Sequence, residues 1–237
     1  MIISALVKNG KAAQIMQEPV QPPQTIPRRN LILLAVFAIA ALVVGYFGGQ
    51  TVERGRSDSP QTKLQLALQA FRSGYDQAAL SMLTPLADEG NAKAQYWLAD
   101  IYENGLGVKQ DMKGALVLLQ KSAALGFVPA ERHLGELYLQ GNETLQDFGQ
   151  AQTWLHKAAI AGDGIAQRQL GHIFALGLGV TRDLPQAYGW YENAVLSGDG
   201  LARPMREDIL SRMSPTDVAK AEQIAKHTAN EIKPAKP

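Results

Sequence analysis

Four histidines and no cysteine form the entire soft-ligand inventory of this 237-residue chain. Without cysteine there are no disulfides, no cysteine-ligated zinc or iron–sulfur cluster, and no thiol nucleophile. His133, His156, His172 and His227 show no i,i+3 or i,i+4 pairing, so no helix turns two imidazoles toward one metal ion. Neither a phosphate-cradling glycine run nor a nucleophile elbow is present. Asp111, Asp147 and Asp183 are evenly spaced carboxylates. Their spacing assigns each to a different structural unit, where it caps a helix instead of joining a cluster. Trp154 and Trp190 fall on an apolar helix stripe and read as core, not as stacking platforms. Lys and Arg total 23 against 22 Asp and Glu, which leaves no basic footprint for nucleic acid. The expectation is a protein that is not an enzyme and has no cofactor, metal or nucleic-acid site.

The elements that must position these residues come from a repeat. Ala (33) and Leu (29) make up 62 of the 237 residues, a composition of strong helix formers. Sliding the chain by 36 residues aligns Ala94, Ala130 and Ala166; Leu98, Leu134 and Leu170; Tyr102, Tyr138 and Phe174; and Gly105, Gly141 and Gly177. Further along come Asp111, Asp147 and Asp183, then Ala115, Ala151 and Ala187, then Leu118, Trp154 and Trp190. Each unit closes on Gly126, Gly162 or Gly198. Ala94, Leu98 and Tyr102 recur every four residues and stripe one face of a first helix, A. Ala99, Gly135 and Gly171 keep one slot small, so a neighbouring helix can approach. The first glycines suit left-handed helix ends, and the aspartates precede a second helix, B, where they cap free N–H groups. Pro185 falls in a first turn, where proline is tolerated.

Residues 62–90 form a shorter leading unit, with Phe71-x-x-Gly74 at its first helix end and Ala79, Leu83, Ala87 and Gly90 on its second. Full units occupy 91–127, 128–163 and 164–199. Two helices, Pro204–Met213 and Pro215–Lys226, then form a solvent-facing cap over 200–228, the second opened by the Ser214-Pro215-Thr216-Asp217 box. Residues 229–237 are a tail.

The N-terminal part is a different material. Asn30–Val52 contains no charge, and 16 of the 19 residues in Leu31–Gly49 are apolar. At about 1.5 Å per residue that stretch reaches about 28 Å, which matches a hydrocarbon core. No small-x-small cleavage site follows it, so it reads as an uncleaved transmembrane anchor. Lys8, Lys11, Arg28 and Arg29 precede it, and Arg54, Arg56 and Lys63 follow. The positive-inside rule then gives a cytoplasmic N-terminus. Gly45 and Gly49 form a GxxxG pair that suits either a homodimer of spans or simple loosening at the membrane edge. Residues 1–30, with four prolines, form a flexible arm, and 50–61 a polar linker.

The strings Leu98-x-x-x-Tyr102-x-x-Gly105-x-Gly107-Val108-x-x-Asp111 and Leu170-Gly171-x-x-Phe174-x-x-Gly177-x-Gly179-Val180-x-x-Asp183 resemble Sel-one-like repeats, a class related to tetratricopeptide repeats. The middle unit departs from the pattern at Gly141-Asn142-Glu143-Thr144, so its turn is expected to be remodelled. The resemblance implies an all-α fold: a right-handed α-solenoid of helix-turn-helix repeats, here preceded by one transmembrane helix. It also implies adaptor or scaffold activity, and for bacterial members with an N-terminal span, a periplasmic array. The localisation that follows is the bacterial inner membrane, single-pass, with the repeats in the periplasm.

In such stacks helix A lines the concave face. The corresponding ladders are Tyr96, Arg132 and Arg168, beside Asp100, Glu136 and His172. Arg132 and Arg168 either hold a partner's carboxylates by forked hydrogen bonds or pair with Glu136 and neighbouring carboxylates on a solvated face. His172 is the ladder member able to titrate near neutrality. The functional expectation is a membrane-anchored adaptor or assembly factor for an envelope complex. Its alternatives are a permanent accessory subunit of an inner-membrane enzyme or secretion complex and a periplasmic regulator of a sensor or enzyme.

Overall fold

The computed structural model describes residues 59–141 and 146–232. The expected arm, membrane span and most of the linker lie outside the described residues, as do the departing turn at 142–145 and residues 233–237. Among the described residues no helix is long and apolar enough to cross a membrane.

The described residues form ten helices and no strand. They are α1 (Pro60–Arg72), α2 (Asp76–Asp88), α3 (Ala92–Asn104), α4 (Met112–Ala124), α5 (Val128–Gln140), α6 (Phe148–Ile160), α7 (Gly164–Leu176), α8 (Leu184–Leu196), α9 (Ala202–Ser211) and α10 (Pro215–Glu231). From α1 to α9 each helix packs against the next, the arrangement of a solenoid. Every helix from α1 to α8 has 13 residues, so about 20 Å of height is shared throughout the stack.

Local chemistry sets these bounds. Asp111, Asp147 and Asp183 accept hydrogen bonds from the backbone N–H of Gly114, Gln150 and Gln186 at 3.0, 2.9 and 3.0 Å. Helices α3, α5 and α7 end on Gly105, Gly141 and Gly177, whose φ values of +66°, +69° and +73° are strained for any residue with a Cβ. Helix α1 begins at Pro60, inside the stretch read as linker, because the Ser59 hydroxyl accepts from Thr62 N–H and proline suits the first turn.

The core is a series of shared joints. Ala99, Ala115, Leu119, Ala130 and Leu134 bury together where α3, α4 and α5 meet. Leu155, Ala158, Ala166, Leu170, Ile173 and Trp190 do the same one repeat later. Two buried glutamines tie successive units: Gln95 donates its amide to Ala87 O at 3.0 Å, and Gln167 to Ala159 O at 2.9 Å. Each satisfies a carbonyl in the last turn of the preceding helix, where intrahelical donors run out.

The C-terminal helices close the stack asymmetrically. Both α9 and α10 pack on α8. Asn193 of α8 is 2% exposed and donates to Gly189 O in its own helix and to Ala225 O of α10. Helix α10 therefore continues to Glu231, beyond the Lys226 end read from the sequence. Ala221, Ala225 and Thr228 are buried along it, a stripe weak enough in sequence to look like a solvated face.

Candidate partner-binding face

The two ladders occupy helices α3, α5 and α7, and the structure gives their members different jobs. Tyr96 is half-buried. Its ring lies 5.3 Å from Trp97, 5.4 Å from Phe127 and 6.1 Å from His133 between centroids. Burial pushes its hydroxyl above the usual tyrosine range, with Arg132 opposing. One repeat on, the Arg132 guanidinium reaches Glu136 at 3.1 Å and Asp163 at 3.2 Å. Burial disfavours its charge, but Glu136 and Asp163 outweigh that and hold the guanidinium above its ordinary value. One repeat further, Arg168 Nε donates to Asp199 at 2.6 Å.

Asp163 also caps α7 by accepting from Ala166 N–H, and Asp199 accepts from Leu201 N–H in the turn ahead of α9. Phe127, Asp163 and Asp199 are spaced by 36 residues, as are Tyr96, Arg132 and Arg168. The same joint is thus closed by an aromatic pair in one repeat and by an arginine–carboxylate pair in the next two. These three partners were absent from the sequence reading. The signal was available, because both columns change from aromatic to charged at the same repeat.

The second ladder is more open. Asp100 accepts from Asn104, and His133 faces Glu103 at 3.1 Å on the adjoining helix. Burial raises the Asp100 carboxyl above the usual carboxylate range, and Glu103 adds to this, while His133 and the Asn104 hydrogen bond oppose it. Glu136 is engaged by Arg132, so the structure joins those two ladder members directly. His172 lines a groove of about 720 Å³ between α7 and α9, together with Leu176, Arg182, Tyr191, Met205 and Asp208. Trp190 is 5% exposed and part of the core. Trp154 is partly buried under the Lys157 ammonium, 4.0 Å from the ring centroid. Among the described residues no group of three or more His, Asp or Glu is placed to hold a metal ion.

Tyr191 forms the back of that groove. It is 2% exposed, and burial raises its pKa to about 12, with Arg168 opposing and Asp208 adding. The folded state therefore holds the phenolic proton more tightly than the unfolded chain, whose tyrosine titrates near pH 10. This contribution to stability is complete below pH 10 and is lost as pH rises through about 12. Urea denaturation followed by circular dichroism across that window should show a fall in stability for the wild type. The fall should be smaller in Tyr191→Phe, which has no proton to lose.

Helix pairs stacked in register, glycine-ended A helices and aspartate-capped B helices define an α-solenoid of helix-turn-helix repeats. Residues 92–127, 128–163 and 164–199 each match the Sel1 repeat. Among solved structures, a Sel1 repeat protein from Oxalobacter formigenes is similar, with a TM-score of 0.62 and 26% identity over 74% of each chain. The protective antigen c5321 of uropathogenic Escherichia coli, described as displaying an SLR fold, matches at 25% identity and a TM-score of 0.48. That match covers 78% of this chain and 48% of the other. No curated protein sequence matches the chain. Sel1 repeat proteins are generally scaffolds for protein–protein interaction.

Proposed function

We propose that the chain is a membrane-anchored scaffold of a bacterial envelope, held in the inner membrane by residues 31–49 with its repeat array in the periplasm. There it would collect the components of an envelope complex. One observation supports it above the others. The buried columns repeat nearly unchanged from unit to unit, whereas the A-helix ladder runs Tyr96/Asp100, Arg132/Glu136 and Arg168/His172. Stacking constrains the buried columns, so variation on a partly exposed face of the A helices is surface available to specify a partner. A charge-free apolar stretch of membrane length ahead of the array supports the anchoring. Confinement at the membrane raises the effective concentration of whatever the array holds.

The test places a photo-crosslinking benzophenone residue at Asp100, at His172 and, as a control on helix B, at Val117. Full-length protein in its native membrane should give discrete protein adducts from the two A-helix positions and none from Val117. Equal labelling at all three, or none from the A helices, overturns the reading. A reporter fused after Pro237 should be active only outside the cytoplasm; cytoplasmic activity overturns the orientation.

A further inference from the structure

The groove between α7 and α9 has a composition that selects its occupant. Its floor and one wall are apolar: Ile209 is 3% exposed and Tyr191 2%, while Leu176 stands 58% exposed at the lip. Its rim carries two arginines against a single carboxylate. His172, Arg182 and Arg212 line it against one carboxylate, Asp208, which Arg212 already engages at 3.0 Å. Arg182 is held by its Nε on Ala175 O at 3.0 Å, and its two terminal guanidinium nitrogens form the rest of the fork. Such a fork matches a carboxylate in two parallel hydrogen bonds.

The terminal segments 1–30 and 233–237 have the wrong sign for this rim, and residues 50–58 are balanced, with Glu53 and Asp58 against Arg54 and Arg56. Residues 1–30 carry Lys8, Lys11, Arg28 and Arg29 against Glu18, and residues 233–237 contain Lys233 and Lys236. The complement is an acidic partner. We propose that this groove binds an extended peptide segment of a partner protein, seating one aliphatic or aromatic side chain against Leu176, Tyr191, Met205 and Ile209. A carboxylate two residues away would lie on Arg182, with His172 and Arg212 flanking it. This rests on the scaffold reading and gives its partner a chemistry. Alternate side chains of an extended strand lie on opposite faces, so an apolar residue two positions from an acidic one presents both to the same wall.

The probe is a randomised nonapeptide library displayed on phage and selected against the full-length chain in mild detergent. Enriched peptides should pair Asp or Glu with Leu, Ile, Met or Phe at close spacing. As synthetic fluorescent peptides they should bind Arg182→Glu at least about tenfold more weakly, the size expected from reversing one close charge contact. Leu176→Asp, altering a side chain already in solvent, should weaken binding similarly. Val117→Asp on helix B should leave it unchanged. Absence of enrichment, enrichment without acidic residues, undiminished binding by both groove variants, or self-association that disappears in those variants each overturns the proposal. Adducts from Asp100 that persist without acidic–apolar selection would overturn the groove chemistry and leave the scaffold standing. Loss of all A-helix adducts would remove the scaffold reading itself.

Discussion

Gly171→Ala should destabilise the array by about 2 kcal/mol, although alanine is the better helix former by about 1 kcal/mol. A Cβ at Gly171 would lie 2.5 and 2.6 Å from Cδ1 and Cε1 of Tyr191, well inside the 3.5–4.0 Å of ordinary carbon contact. Tyr191 is 2% exposed, so its planar ring has no room to swing aside, and the strain falls on the α7–α8 spacing. Overfilling a buried joint typically costs about 1–3 kcal/mol, and a rigid ring belongs at the upper end of that range. The equivalent change at Gly135 meets Leu155 Cγ at 2.5 Å and its backbone N at 3.1 Å; Leu155 is fully buried, so a cost of similar size is expected.

The repeats themselves supply the compensating variant. The first full unit carries Ala99 and Leu119 in one cluster, where the third has Gly171 and Tyr191. Tyr191→Leu alone leaves a cavity and should cost about 2–3 kcal/mol. Gly171→Ala with Tyr191→Leu recreates the Ala99/Leu119 pair and should cost no more than Tyr191→Leu alone. The coupling energy, about 2 kcal/mol of stabilising sign, is read from a double-mutant cycle by urea denaturation. Simple additivity of the two substitutions would refute the shared-slot explanation.

The second large effect is expected at the joint between α7 and α9. Arg168→Ala strands the Asp199 carboxylate, whose side chain is only 8% exposed. Removing one partner of a buried pair costs about 3–5 kcal/mol; Arg168 keeps 18% of its side chain in solvent, so about 2–3 kcal/mol is expected. The charge should be the cause. Asp199→Asn keeps an oxygen to accept from Leu201 N–H while removing the stranded charge. Arg168→Ala combined with Asp199→Asn should therefore be more stable than Arg168→Ala alone. Arg168→Lys should recover only part of the loss, since an ammonium lacks the Nε geometry of the 2.6 Å contact. Thermal melts of the four variants decide it; a double variant no better than Arg168→Ala would show that packing, not charge, holds the joint.

These joints mark how far the sequence could be read. The helices were legible because each boundary rests on local chemistry. Asp111, Asp147 and Asp183 cap within three residues of themselves, and Gly105, Gly141 and Gly177 terminate by backbone conformation alone. The candidate face was legible as a set of positions but not as a set of interactions. Arg132 and Arg168 lie on helix A, and the pairing of Arg132 with Glu136 is one turn long, yet the partners across the joints, Asp163 and Asp199, lie 31 residues away. Such a separation becomes a contact only after two helices have folded back. Helix α10 was foreseen, but its docking on α8 was not, because Asn193 bonds across 32 residues and the stripe Ala221, Ala225 and Thr228 is too weakly apolar to announce burial.

The sequence by itself determined the repeat period, the helix pairs and the small slots, since these depend on caps, glycine φ angles and apolar stripes that act within one turn or recur in every unit. The tertiary structure alone decided which ladder side chains are spent between repeats and which line a groove. That division depends on distances between helices, and helix spacing is fixed only when Gly171 meets Tyr191 and Arg168 meets Asp199.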